Sequence, residues 1–471
     1  MNIISSFETT LDPIKYVRQF PADAPDASKE AETARDHRLE LLAKIADRSA
    51  LVGVIGMGYV GLPFAVEKAK MGYSVVGIDN NSSRVEKINR GENFIPDVRD
   101  FELREAISNG TFRATTDYVC AADLDIIVIA VPTPLTKNLT PDLQYVERVT
   151  HELARHLRPG QLISLESTTY PGTTEEVMLP ILQGSGLKVE KDFFLAHSPE
   201  RVDPGNKRFS TKNTTKVVGA VGPNSHEVAV KFYAGTIEQV VPVSSAKAAE
   251  LVKVFENTFR AVNIALVNEL TLLCDRMELN VWEVLDAAFT KPFGIMPFYP
   301  GPGVGGHCIP LDPHYLEWKA KELNFNTRFI SLAGEVNRSM PAYVIEKTVR
   351  ILERTGKSLR GGKISVLGVS YKKDLGDYRE SPALEVIQLL KKRGALVSFH
   401  DPFVSQIEEH GVIHDGDELT PDFLGCADVT LVLTDHSVID YEWVVAHSKV
   451  VFDTRNSTKH VKMNRDKIVL L

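Results

Sequence analysis

Residues 300–313 read Pro-Gly-Pro-Gly-Val-Gly-Gly-His-Cys-Ile-Pro-Leu-Asp-Pro, with four glycines and four prolines in fourteen positions. Proline lacks an amide donor and glycine lacks conformational restraint, so this stretch is neither helix nor central strand. It reads as a loop whose backbone passes close to something. Cys308 sits at its centre, next to His307 and four residues before Asp312. A free thiol titrates near about 8.5, and its thiolate fraction is strongly nucleophilic. A buried cysteine in a turn-rich connection is the alternative. The glycines favour the nucleophile, because they leave the sulfur uncrowded and set several N–H groups nearby.

A second set of reactive groups lies upstream. Ala246 to Met277 holds no proline or glycine, and Leu251, Val252, Phe255, Phe259, Val262, Ala265, Leu266 and Leu270 recur at helical spacing. A helix of this length bridges domains or builds a dimer interface. Lys253, Asn257 and Arg260 share one of its faces. A solvated polar face is the competing reading, but the helix is apolar over most of its circumference.

These groups need elements to hold them. Leu51–Ile55 is a short apolar strand running into Gly56-Met57-Gly58-Tyr59-Val60-Gly61, then a helical segment, then a strand over 74–78 closed by Asp79. Strand, glycine turn, helix and an acidic residue at that distance form a dinucleotide-binding fingerprint. The glycines admit a pyrophosphate to the helix N-terminus. Asp79 suits a ribose and repels a 2′-phosphate, so NAD is expected over NADP. Further strands over 124–131 and 162–165 end in polar clusters, Pro132-Thr133-Pro134 and Glu166-Ser167-Thr168-Thr169. Another over 193–196 runs into His197-Ser198-Pro199-Glu200-Arg201-Val202. Open α/β sheets bind ligands at such strand ends, although each Ser or Thr alone fits a helix cap equally well. Strands over 363–369, 397–400, 429–433 and 450–452 make a second α/β unit with no glycine fingerprint, where Lys372 and Arg455 could hold a charged ligand. The fold class is therefore α/β, two Rossmann-like doubly wound domains joined by a long central helix.

Composition narrows the class of protein. At 471 residues, roughly three domains of about 150 residues are expected. Hydrophobic residues at 43% and charged residues at 25% are ordinary globular values. A net charge of −8 without a long basic run argues against nucleic acid as a partner. Cys120, Cys274, Cys308 and Cys426 are widely spaced, so neither a disulfide framework nor a cysteine-based metal site is expected. No secretory signal and no run of eighteen apolar residues is evident, which predicts a cytoplasmic protein without membrane insertion. Residues 1–50 form an N-terminal extension containing an amphipathic helix from about Ser28 to Asp47.

The segments GMGYVG, SPERVDPG, AELVKVFENTF, GGHCIPLDP and YKKDLGDYRESP, in this order over roughly residues 51–460, resemble the UDP-glucose/GDP-mannose dehydrogenase family. His-Cys-Ile-Pro, where UDP-glucose enzymes carry Ser-Cys-Phe-Gln-Lys, is similar to the branch acting on UDP-N-acetylhexosamines. Residues 298–303 and 315–320 are similar to the UDP-N-acetylglucosamine 6-dehydrogenases. The resemblance implies an NAD-binding domain over 51–242, a central helical dimerisation region with the cysteine loop over 243–355, and a UDP-binding domain over 356–471. It implies Cys308 as nucleophile, Lys253 and Asn257 around the reacting oxygen, Asp312 as an orienting or water-positioning carboxylate and Glu200 as general base. Arg201, Val202, Arg260, Gly305, Lys372 and Arg455 fall on nucleotide-sugar contacts. Tyr59, Val60, Asp79, Arg84, Thr133, Thr168 and Arg379 fall on cofactor contacts, beside Gly56, Gly58 and Gly61.

The expected activity is an NAD-dependent four-electron oxidation of a UDP-N-acetylhexosamine at C6, through a cysteine thioester, in a homodimer or higher homo-oligomer serving polysaccharide biosynthesis. UDP-glucose and UDP-N-acetylmannosamine are the alternative substrates. A two-electron β-hydroxyacid-type dehydrogenase and a non-catalytic NAD-binding regulator are the rival classes.

Overall fold

The computed structural model describes residues 36–471 apart from 96, 137, 202–205, 207, 307, 308 and 410. Cys308, Val202 and most of the N-terminal extension thus lie outside the described residues. Of the extension's expected helix, His37–Asp47 is described, capped by the Asp36 carboxylate. The chain divides into two compact units, and the division falls between Val254 and Phe255.

The first unit is built on one sheet. Its strands are β1 (Leu51–Ile55), β2 (Ser74–Ile78), β3 (Phe112–Thr115), β4 (Ile126–Ile129), β5 (Leu162–Leu165), β6 (Phe194–His197), β7 (Lys216–Ala220) and β8 (Val240–Pro242). Their order is β3-β2-β1-β4-β5-β6-β7-β8, parallel except where β7 runs against β6. The first six positions follow the 3-2-1-4-5-6 order of a dinucleotide-binding sheet. Every residue of β4, β5 and β6 is buried, as expected for parallel strands covered on both faces by helices. Sequence periodicity missed β3, β7 and β8.

The second unit carries β9 (Lys363–Leu367), β10 (Leu396–His400), β11 (Gln406–Glu409), β12 (Val412–Asp415), β13 (Val429–Val432), β14 (Val451–Asp453) and β15 (Ile468–Leu470). Five of them form a parallel sheet in the order β10-β9-β13-β14-β15, and β11 and β12 pair as a separate hairpin. The chain therefore continues past the strand expected to be last. Helices Asp312–Glu322 and Arg328–Arg354 precede this sheet.

The second sheet lacks a GxGxxG run yet repeats the backbone device of the first. The Gly56 N–H donates to Ile78 O and the Met57 N–H to Asp79 Oδ2. Likewise the Gly368 N–H donates to His400 O and the Val369 N–H to Asp401 Oδ2. Gly56 and Gly368 both have positive φ, +95° and +81°, and a Cβ on either would strike the strand-end backbone at Ala130 or Thr434. One glycine at the end of β9 is the whole signal, which is why the motif was not legible.

The long helix runs Ala246–Arg276, as its apolar spacing predicts. Leu251, Phe255, Phe259, Leu266 and Leu273 stand exposed along it among the described residues.

Candidate active site

In the first unit, the turn after β1 leads into the helix Gly61–Lys70. Gly61 packs against Gly56, where a Cβ would meet Gly56 O at 1.8 Å, while a Cβ on Gly58 would meet nothing within 4 Å. The first and third glycines close strand against helix, and Gly58 leaves an open cradle at the helix start for a phosphate. These residues fit a dinucleotide.

Asp79, 4% exposed, closes β2. It accepts the N–H groups of Met57 at 2.8 Å and Asn81 at 2.9 Å, and pairs with Arg84 Nη1 at 2.9 Å. The carboxylate is thus held rigidly at the strand end, with lone pairs left for a ribose hydroxyl. Arg84 partly offsets the negative charge that was expected to exclude a 2′-phosphate. Tyr59 and Val60 lie in the turn, Tyr59 exposed. Beyond β4 and β5 the Thr133 hydroxyl donates to Thr168 O at 2.6 Å, bringing those two strand ends together.

At the end of β6, Glu200 is nearly buried. It accepts the Arg201 N–H at 2.6 Å and faces Lys216 Nζ at 3.4 Å. Lys216 also holds Glu166 Oε2 at 2.9 Å. The Arg201 guanidinium donates to Thr215 O at 2.7 Å. Lys216, Glu166, His197 and Tyr233 were not predicted as site residues. Glu166 and His197 stood out only as strand-end polar residues, and Lys216 starts a strand that sequence periodicity missed.

The central helix carries Lys253, half-buried, and Asn257, buried, one turn apart, while Arg260 is exposed. In the second unit Asn257 Nδ2 donates to Asp312 Oδ2 at 2.5 Å, and Asp312 is 2% exposed at the start of the helix Asp312–Glu322. A carboxylate only accepts, so this bond fixes the Asn257 amide with nitrogen toward Asp312 and its second N–H free to turn elsewhere.

The glycines of the cysteine loop pack against chain. A Cβ on Gly305 would meet Pro382 Cδ, Glu380 O and Tyr371 Cβ within about 3 Å, and the Gly306 N–H donates to Glu380 O. Gly301 lies under the Arg455 guanidinium, whose Nε donates to Leu433 O at 2.9 Å. The segment 370–377 is fastened by His436. The Asp374 N–H donates to Nδ1, while Nε2 lies 3.0 Å from both Asp401 Oδ2 and Ser370 Oγ. Lys372, half-buried, lies on this segment. Arg379 makes a two-point pair with Asp377 at 2.9 and 2.7 Å. Within the second unit, therefore, Asn257 meets Asp312, and the start of the cysteine loop meets Arg455. No group of metal-ligating side chains occurs among the described residues.

The chain belongs to the UDP-glucose/GDP-mannose dehydrogenase family. It matches the family's NAD-binding domain over residues 50–237, its central domain over 247–339 and its UDP-binding domain over 365–460. NAD is accordingly its cofactor. The chain is 36% identical over 420 residues to a UDP-N-acetyl-D-mannosamine dehydrogenase of Methanococcus maripaludis, covering 86% of this chain and 93% of that one. It is 35% identical over 396 residues to a UDP-N-acetyl-D-glucosamine 6-dehydrogenase of Pseudomonas aeruginosa, covering 82% and 90%. The solved UDP-D-ManNAc dehydrogenase of Pyrococcus horikoshii superposes with a TM-score of 0.81 at 32% identity, covering 89% of this chain and 98% of that one.

Proposed function

We propose that this protein oxidises the C6 alcohol of a UDP-N-acetylhexosamine to the uronate, with UDP-N-acetylglucosamine as the leading substrate. The observation that carries the oxidation chemistry is the Asn257–Asp312 pair, which sets an amide donor beside a buried carboxylate four residues from Cys308 in sequence, and the Pseudomonas relative supports UDP-N-acetylglucosamine as substrate. UDP-N-acetylmannosamine is the second reading, favoured by the Methanococcus and Pyrococcus relatives. Each sugar consumes one water and yields one carboxylate and three protons. NAD+, when bound, accepts the hydride released at each of the two oxidation stages.

Lys253 or a bound water takes the C6 hydroxyl proton. Cys308 Sγ then adds to the aldehyde carbon, giving a thiohemiacetal, and the second oxidation leaves a thioester. Both stages place negative charge on one oxygen. Lys253 and the second N–H of Asn257 are suited to hold it, and one such donor contributes about 3 kcal/mol. Asp312 fixes the Asn257 amide. Glu200 draws a proton from the water that splits the thioester, directly or through a neighbouring hydroxyl, and the thiolate leaves.

The functional division would then be cofactor domain 51–242, central region 243–355 and nucleotide-grip domain 356–471. Arg201, Val202, Arg260, Gly305, Lys372 and Arg455 serve the nucleotide sugar. Tyr59, Val60, Arg84, Thr133, Thr168 and Arg379 serve the cofactor. No helix among the described residues is long and apolar enough to cross a membrane. The exposed Leu251, Phe255, Phe259, Leu266 and Leu273 stripe supports a homodimer formed by a second copy. NADH release across a panel of UDP-sugars tests the substrate. Preference for UDP-N-acetylglucosamine supports the leading reading, and preference for UDP-glucose overturns the N-acetylhexosamine class.

A further inference from the structure

Around Glu200 the first unit seals charged groups that the chemistry above does not use. Lys216, in β7, is 3% exposed, and its ammonium lies between Glu166 and Glu200, at 2.9 and 3.4 Å. The other Glu166 oxygen accepts the Tyr233 hydroxyl at 2.9 Å, and that hydroxyl lies 2.8 Å from Ser164 Oγ. A continuous line thus runs Ser164, Tyr233, Glu166, Lys216, Glu200, and it ends on the carboxylate assigned to water activation. Well-packed apolar side chains usually match or exceed a buried ion pair in stability, so a charge triad sealed here calls for another role.

We propose that Lys216 is the positioning residue for Glu200, holding that carboxylate in one orientation and in its ionised form while Glu166 and Tyr233 fix the ammonium. This rests on the reading of Glu200 as the group that activates the hydrolytic water.

The surrounding groups agree. Burial works to lower the Lys216 pKa, and Glu166 with Glu200 more than offsets it, leaving it above its ordinary value. Burial raises Glu166, against the pull of Lys216. From the helix Gly61–Lys70, Lys68 is driven well below its ordinary value by burial, and it donates to Phe232 O at 2.8 Å. His197, at the end of β6, is buried with both ring nitrogens unpartnered and drops to about 3, so it stays neutral. Tyr233, on the helix Pro223–Ala234, is pushed well above its ordinary value by burial, so it also stays neutral. Arg201 turns its guanidinium to Thr215 O. Lys216 with Glu166 and Glu200 thus forms a buried ionic triad in this pocket.

Lys216→Met removes the cation at similar length. It should raise the acid limb of the kcat–pH profile by about one pH unit or more, because Glu200 then faces Glu166 without an intervening ammonium. Hydrolysis should become limiting: a first-turnover burst of two NADH per active site persists, and steady-state turnover at pH 7 falls about tenfold or more. NAD+ affinity should be unchanged, and Lys216→Arg should restore the limb. A wild-type pH profile and rate in Lys216→Met, beside lost turnover in Glu200→Gln, overturns the positioning role. Near-wild-type turnover in Glu200→Gln instead overturns the reading of Glu200. If Lys216→Met does not fold, Glu166→Gln carries the test. It frees Lys216 for Glu200 and should lower the acid limb by about half a pH unit; an unmoved limb overturns the proposal.

Discussion

Glu250 lies three residues before Lys253 in the first turns of the central helix and is 1% exposed. Its carboxylate accepts the Gly172 N–H at 2.5 Å, the Thr174 N–H at 2.8 Å and the Thr174 hydroxyl at 2.7 Å. The segment that follows Thr168 is thereby fastened to the helix that carries Lys253. Burial pushes this carboxyl from 4.5 up to about 7, against the pull of those three bonds. A folded pKa above the unfolded one means that the folded state holds the proton more tightly. The stability so gained is complete below about 4.5 and is lost as pH rises through about 7. At about 1.4 kcal/mol per pH unit the whole effect is about 3 kcal/mol, of which about 1 kcal/mol falls between pH 6 and 8. Glu250→Gln cannot titrate. It turns an NH2 toward groups that are themselves donors, so it should be less stable by about 1–3 kcal/mol. Its unfolding midpoint should also vary less with pH. Calorimetry of both proteins at pH 6, 7 and 8 isolates this group as the difference of slopes, about 3 °C over that range. Parallel slopes would mean that Glu250 carries its charge throughout and that burial does not raise it.

The remaining predictions concern turnover and assembly. Cys308→Ser should abolish uronate formation while NAD+ binding, followed by cofactor fluorescence or calorimetry, is retained; undiminished uronate would exclude a covalent intermediate. Lys253→Ala should slow oxidation by about a hundredfold or more in kcat, as loss of an oxyanion donor does, and a near-normal rate would remove it from the site. Asp79→Ala should weaken NAD+ binding by about tenfold or more, since one ribose contact and the Met57–Asn81 turn are lost together; unchanged affinity would mean the ribose is held elsewhere. Phe255→Glu should shift the mass seen by light scattering from dimer to single chain if the exposed stripe is the interface, and an unchanged mass would place the interface elsewhere.

Local features were legible in the sequence, and long-range ones were not. The strand, glycine turn and Asp79 announce themselves within thirty residues, because one dinucleotide-binding unit demands all three, the glycines for its pyrophosphate and the acid for its ribose. The long helix is equally plain from its uninterrupted apolar spacing. Gly368 repeats the backbone turn of Gly56 with no second glycine to mark it, so that turn is not legible as a motif. Lys216 opens a strand whose neighbour runs antiparallel, and nothing near it in sequence hints at Glu166, fifty residues away. The Asn257–Asp312 bond joins residues 55 apart, a pairing that only the folded chain creates. Glu250 looked like one more polar helical residue, and only its burial beside Gly172 and Thr174 gives it a role.

In the proposed reaction one thiol carries the sugar through two oxidations without releasing the aldehyde. Counting NADH formed per UDP-N-acetylhexosamine consumed, with an aldehyde trap such as hydroxylamine present, tests it most directly. Two NADH per sugar are expected, with uronate as product and negligible trapped aldehyde. One NADH per sugar, with aldehyde or ketone recovered, would contradict it.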